Sequence, residues 1–139
     1  VPMTDSESNF KLIYGSVKLG NAIPLTFDSD VKLMATNYDE NVKNKMKELG
    51  KTRFDAILLG AGPDGHIASL FPGQHWRHET DIVIPVYNSP KPPPQRITLT
   101  INVMEACENV FVLIIETKKA HLHEPFCHRS EITTVEQST

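Results

Sequence analysis

Seven consecutive residues bring together what proton transfer and anion binding require: Gly60-Ala-Gly62-Pro-Asp64-Gly65-His66. A histidine changes charge near neutral pH, so His66 suits a general base or acid. Asp64 has two readings, a carboxylate that orients the imidazole or the N-cap of a following helix. Three glycines let backbone approach a ligand closely, and a helix opening near Asp64 would aim its free N–H groups at an anion. Spacing alone leaves a tight turn with a surface histidine as an equal reading, because the string fits neither GxGxxG nor GxxxxGKS/T. Arg96 and Lys119 are the candidate anchors for an anionic substrate. A guanidinium suits bidentate phosphate contact and an ammonium acts as a point charge; the plain alternative for both is a solvated surface cation.

Other constellations carry weaker signals. His121, His123, Cys127 and His128 form a His-x-His-x3-Cys-His run of zinc-type ligands. Its spacing matches no structural zinc module, so no metal is expected. The Pro-rich stretch Ser89–Gln95 reads as a rigid connection rather than a polyproline ligand. His75, Trp76 and His78 fall in a polar loop that would cover the edge of a site. Asn9 has two readings, a site residue or, in preference, a hydrogen-bonding residue at a helix start.

The elements that must position these residues are marked in the sequence. Thr4-Asp-Ser-Glu7 is a capping box, followed by Phe10, Ile13, Tyr14 and Val17 on one helical stripe. Val31, Met34, Ala35, Tyr38, Val42, Met46 and Leu49 keep helical period until Gly50, with Lys32, Asp39, Lys43, Lys47 and Glu48 on the opposite face. Phe54-Asp-Ala-Ile-Leu-Leu59, stopped by Gly60, reads as a buried, central parallel strand with the glycine loop at its carboxyl end. That is where open parallel sheets bind ligands. Ile82–Val86, Ile97–Ile101 and Val110–Ile115 are further strands, with helices around Asn102–Glu108 and after Thr117. Strands interleaved with helices predict an α/β fold: a largely parallel sheet flanked by helices, in one domain over residues 1–139.

Composition sets the outer limits. The chain has 139 residues, 40% apolar and 22% charged, as one globular domain would. Its 14 Lys+Arg against 17 Asp+Glu give a net charge of -3, which argues against a broad nucleic-acid surface. The longest apolar runs, Ala56–Leu59 and Val110–Ile115, fall well short of the ~20 residues of a membrane-spanning helix. No secretory leader is expected, and Cys107 and Cys127 lack CxxC spacing. Free thiols in a reducing cytoplasm are therefore expected.

The full strings say more than their spacing. Gly-Ala-Gly-Pro-Asp-Gly-His-Ile-Ala-Ser-Leu-Phe-Pro-Gly, residues 60–73, closely resembles the signature of the 6-phosphogluconolactonases, whose superfamily includes the glucosamine-6-phosphate deaminases. Ser89-Pro-Lys-Pro-Pro-Pro-Gln-Arg-Ile-Thr-Leu-Thr100 resembles the segment after that family's Pro-rich turn. Val1-Pro-Met-Thr-Asp-Ser-Glu-Ser-Asn9 resembles the stretch following its Asp-Glu-Arg triplet. The resemblance runs over residues 1–120 and implies a modified Rossmann-type, lactonase-like domain. It implies hydrolysis of 6-phosphogluconolactone in the oxidative pentose-phosphate pathway, without metal or cofactor. His66 would be general base and then acid, with Asp64 beside it. Gly60, Gly62 and Gly65 would contribute backbone donors to oxyanion and substrate, and Arg96 and Lys119 would hold the phosphate.

Two departures from the family pattern qualify this. Its N-terminal strand, phosphate loop and Asp-Glu-Arg triplet have no counterpart here, so the domain is expected to be partial and the isolated chain to turn over little. Its Gly-Glu-Gly-Lys-Ala corresponds to Glu116-Thr-Lys-Lys-Ala120, which keeps the lysine as Lys119 and loses both glycines. The sister deaminases continue with Asn-Glu-Pro where this chain has Ser69-Leu70-Phe71, which favours the lactonase. A third reading is an inactive fragment with a binding role, self-associating through exposed sheet edges.

Overall fold

The computed structural model describes residues 2–6, 8–17, 20–74, 76 and 80–114. In chain order its elements are α1 (Asn9–Ser16), α2 (Val31–Glu48), β1 (Ala56–Ala61), β2 (Val83–Val86), β3 (Arg96–Leu99), α3 (Ile101–Ala106) and β4 (Asn109–Ile114). Helix α2 starts where an acceptor precedes the apolar repeat: Asp30 accepts from the N–H groups of Lys32 at 2.9 Å and Leu33 at 3.2 Å. Its apolar stripe packs on β2, and Ala35, Val42, Ile82 and Val83 form one core. A second core of Ile57, Leu59 and Ile67 lies under β1.

Strands β1 and β4 pair in parallel, Ile57 opposite Val110. With the flanking helices this is the expected α/β arrangement. The second pair differs: β2 and β3 run antiparallel, Val83 opposite Leu99. The link of residues 87–95 is too short for the crossover of about a dozen residues or more that parallel strands need.

Strand β1 also departs from a strand buried on both faces. Ile57 and Leu59 are buried, but Leu58 is 78% exposed. Phe111 and Leu113, opposite Leu58 and Gly60, are exposed on that same face. Among the described residues β4 is its one neighbour, so β1 is not central there. A continuous apolar run records no difference between the two faces.

Asp39 corrects the helical-wheel reading. It is buried, not solvated, and its Oδ1 accepts from the backbone N–H groups of Ile82 at 2.6 Å and Val83 at 3.0 Å. Its Oδ2 meets Lys43 at 2.6 Å, and Lys43 also reaches Asp81 at 2.9 Å. The hydrogen bonds to Asp39 and Asp81 hold the Lys43 ammonium above its ordinary value. Thr100, also buried, donates its hydroxyl to the Asp81 carbonyl at 2.8 Å. The entry to β2 is thus fixed from both α2 and the start of α3.

Helix α1 opens at Asn9 and not at Thr4, because Ser8 supplies the cap, accepting from Lys11 N–H at 3.3 Å. Glu7 of the capping box lies outside the described residues. The α1 stripe is not packed: Ile13, Tyr14 and Val17 are about half exposed. Cys107 is a free thiol, and Cys127, like the helix expected after Thr117, lies outside the described residues. No helix among the described residues is long and apolar enough to cross a membrane.

Candidate active site

Two loops make the site. The first leaves the carboxyl end of β1 and folds on itself: Gly62 N–H donates to the His66 carbonyl and Gly65 N–H to the Gly62 carbonyl, both at 2.9 Å. Gly65 sits at φ 81°, in the left-handed region that favours glycine. Asp64 Oδ1 and His66 Nδ1 lie 2.5 Å apart. Gly62 lies directly under this pair, and a Cβ there would overlap the imidazole and come within 2.8 Å of Asp64 Oδ1.

The ring is held on its other sides. Phe71, 3% exposed, stacks on His66 with centroids 4.7 Å apart. Ser69 N–H donates to Thr98 Oγ1 at 3.1 Å, tying the loop to β3. Trp76 Nε1 donates to the Phe71 carbonyl at 3.2 Å, which ties Trp76 back to the residue that supports His66.

The second loop is the Pro-rich link between β2 and β3. Ser89 Oγ donates to the Lys91 carbonyl at 2.8 Å, and Ser89 N–H to the Pro94 carbonyl at 2.9 Å. Arg96 grips three successive carbonyls: Lys91 at 3.1 Å and Pro92 at 2.8 Å through Nη2, and Pro93 at 3.0 Å through Nε. Its guanidinium also stands 5.7 Å from the Phe71 ring centroid. This grip places Lys91 Nζ 2.9 Å from Asp64 Oδ1.

Burial raises the Asp64 carboxyl, but the hydrogen bonds from Lys91 and His66 outweigh it and hold the group well below the ordinary carboxylate range. An ionised carboxylate only accepts hydrogen bonds. Donation from His66 Nδ1 to that carboxylate leaves Nε2 of a neutral imidazole as the nitrogen able to accept a proton.

The structure brings together Asp64, His66, Gly62, Gly65 and Arg96 from the residues singled out in the sequence. Three expectations about them change. No helix opens at Asp64, where residues 62–70 form turns and bridges, so its N-cap reading falls. The N–H groups of Gly62 and Gly65 are engaged inside the loop; these glycines shape it rather than donate to an oxyanion. Arg96 directs Nε and Nη2 to carbonyls of its own loop instead of standing ready as a forked phosphate clamp.

Gly60 lies in the β1 ladder opposite Leu113, with open space where a side chain would be. Asn9 is the first residue of α1. Lys119, His75, His78 and the His121, His123, Cys127 and His128 run lie outside the described residues. Among the described residues no His, Cys, Asp or Glu group could hold a metal ion. Sequence reasoning missed Lys91 and Phe71. The available signal for Lys91 was a cation inside a stiff Pro-rich string. A groove elsewhere, lined by Thr26, Met34, Tyr38 and Asn41, holds none of these groups.

The family described as glucosamine-6-phosphate isomerases/6-phosphogluconolactonase matches residues 1–135. A probable 6-phosphogluconolactonase 4 of Arabidopsis thaliana is 33% identical over 152 residues, covering 95% of this chain and 58% of that protein. The 6-phosphogluconolactonase of Rattus norvegicus is 38% identical, over 88% of this chain and 51% of that protein. Among solved structures, the 6-phosphogluconolactonase from Thermotoga maritima superposes with a TM-score of 0.64 at 25% identity, over 84% of this chain and 54% of that one. The chain thus spans about half the length of the curated relatives it matches. A match that takes in both loops and nearly every residue of the chain makes it a member of the glucosamine-6-phosphate isomerase/6-phosphogluconolactonase family.

Proposed function

We propose that this chain carries the catalytic loop of a 6-phosphogluconolactonase, which hydrolyses 6-phosphogluconolactone to 6-phosphogluconate in the oxidative pentose-phosphate pathway. The observation behind this reading is the Asp64–His66 contact of 2.5 Å at the carboxyl end of β1. His66 Nε2 takes a proton from water as the water oxygen adds to the ring ester carbonyl. The tetrahedral intermediate then collapses, the bond to the ring oxygen breaks, and the imidazolium returns its proton to that oxygen. Asp64 stabilises the imidazolium between the two steps. A positioned base of this kind contributes ~10²–10⁴-fold.

Binding energy from the remote phosphate holds the ring in place. We assign its capture to Lys119, with Arg96 adding positive field beside His66. The hydrolysis calls for no redox cofactor. The substrate is a small sugar-phosphate lactone, and a cytoplasmic location belongs to the same reading, in keeping with the free Cys107 thiol.

The sister deaminase reading is weaker. Phe71 stands where that motif has a proline, after Leu70 in place of its glutamate, and here it is the ring that supports His66. The test is lactone hydrolysis by the natural polypeptide that contains this chain, corrected for spontaneous opening in water. His66→Asn keeps a donor but cannot shuttle a proton, and is expected to lower kcat by ~10²-fold or more. Full activity in that variant would remove His66 from the mechanism.

A further inference from the structure

We propose that Lys91 is a positioning residue for the Asp64–His66 pair, and that Arg96 is the strut that holds Lys91 in place. The proposal rests on His66 as the base of lactone hydrolysis and adds the part played by the second loop. Lys91 Nζ and His66 Nδ1 both meet the same oxygen, Asp64 Oδ1. Two donors from separate chain segments fix that carboxylate in position and rotation, and the carboxylate in turn fixes the imidazole. Neither Lys91 nor Asp64 is deeply buried, their side chains being 40% and 37% exposed. An ion pair so exposed adds little to folding stability. Its effect is geometric: it keeps the hydrogen on Nδ1 and aims Nε2.

The rest of the loop is built for that contact. Prolines at 90, 92, 93 and 94 restrict the backbone. Arg96 binds the carbonyls of Lys91, Pro92 and Pro93 with a planar fork that a lysine cannot reproduce. Among the described residues the charged groups around the imidazole are Asp64 on its own loop, Lys91 across Asp64, and Arg96 across Phe71. Lys91 is the member of this set that touches Asp64 without belonging to its loop.

The test has two readouts. In the active natural polypeptide, Lys91→Met is expected to lower kcat about tenfold or more with little change in KM, since slight misplacement of a catalytic group is costly. Lys91→Arg should restore much of the loss. Nitrogen NMR of the His66 ring, recorded on the same polypeptide, should show one Nδ1–H tautomer. Lys91→Met and Arg96→Lys should each give a mixture. An unchanged tautomer in Lys91→Met would overturn the proposal. So would a raised KM with kcat unchanged, which would make Lys91 a substrate-binding cation. If His66→Asn proved fully active, the lactonase mechanism would fall, while the tautomer result would still decide the role of Lys91.

Discussion

The β2–β3 pair is closed against α2, with Ala35, Val42, Ile82 and Val83 buried together and Asp39 capping the first N–H groups of the strand. Among the described residues the β1–β4 pair is covered on one face only. Ile57 and Leu59 are buried there, while Leu58, Phe111 and Leu113 remain exposed on the other. The Asp64–His66 pair nevertheless sits at the end of β1, the less covered strand. What holds it comes largely from the better-packed side: Lys91 on Asp64, Arg96 over Phe71, and Thr98 under Ser69. The proposed proton-transfer groups and the contacts that hold them therefore come from different strand pairs and meet between two loops.

Substitutions should separate these contributions. The largest effect is expected at Gly62→Ala, whose Cβ would overlap the His66 ring. Displacing the imidazole should lower kcat ~10²-fold, measured as background-corrected lactone hydrolysis. Asp39→Ala comes next and acts on the other pair. It leaves the N–H groups of Ile82 and Val83 without their acceptor, for an expected loss of about 2 kcal/mol in denaturant unfolding. Activity per folded molecule should be unaffected, because Asp39 touches neither loop of the site.

Leu58→Lys on the open face should change stability by no more than about 0.5 kcal/mol. It should also reduce any self-association seen by size-exclusion chromatography, since exposed apolar patches promote association.

The smallest effect is on pH dependence. Asp64 is lowered in the folded state, so its contribution is complete above the ordinary carboxylate pKa of about 3.9 and is lost only as pH falls through the lower folded value. The group is more than a third exposed, so little stability should be lost. The Asp64 carboxyl carbon resonance should remain that of the ionised form down to about pH 4, where an ordinary aspartate is about half protonated.

Local features were legible in the sequence and remote ones were not. Helix α2 was readable because Asp30, the apolar repeat and Gly50 all lie along one short stretch. The Asp64–His66 contact was readable because the two residues are two apart, although spacing alone left Asp64 with a second role that only the absence of a helix removed. Asp39 was misread because its partners are on residues 82 and 83 of another element, and a helical wheel knows only its own axis. Lys91 was missed for the same reason, its partner being Asp64 in a separate loop. Arg96 was identified as a site residue, but its grip on carbonyls follows from the path of the Pro-rich link, which composition does not disclose. The one-sided burial of β1 depends on what covers the second face, and an unbroken apolar run is compatible with either state.

Titration of 6-phosphogluconate into the isotope-labelled active polypeptide, followed by backbone and histidine-ring NMR, tests most directly whether the two loops form one site. The expected result is a response at residues 62–67, the His66 ring, residues 89–96 and Lys119, with the Asp39–Ile82 region unmoved. A response centred on the groove of Thr26, Met34, Tyr38 and Asn41, or none at the His66 ring, would contradict a catalytic site between these loops.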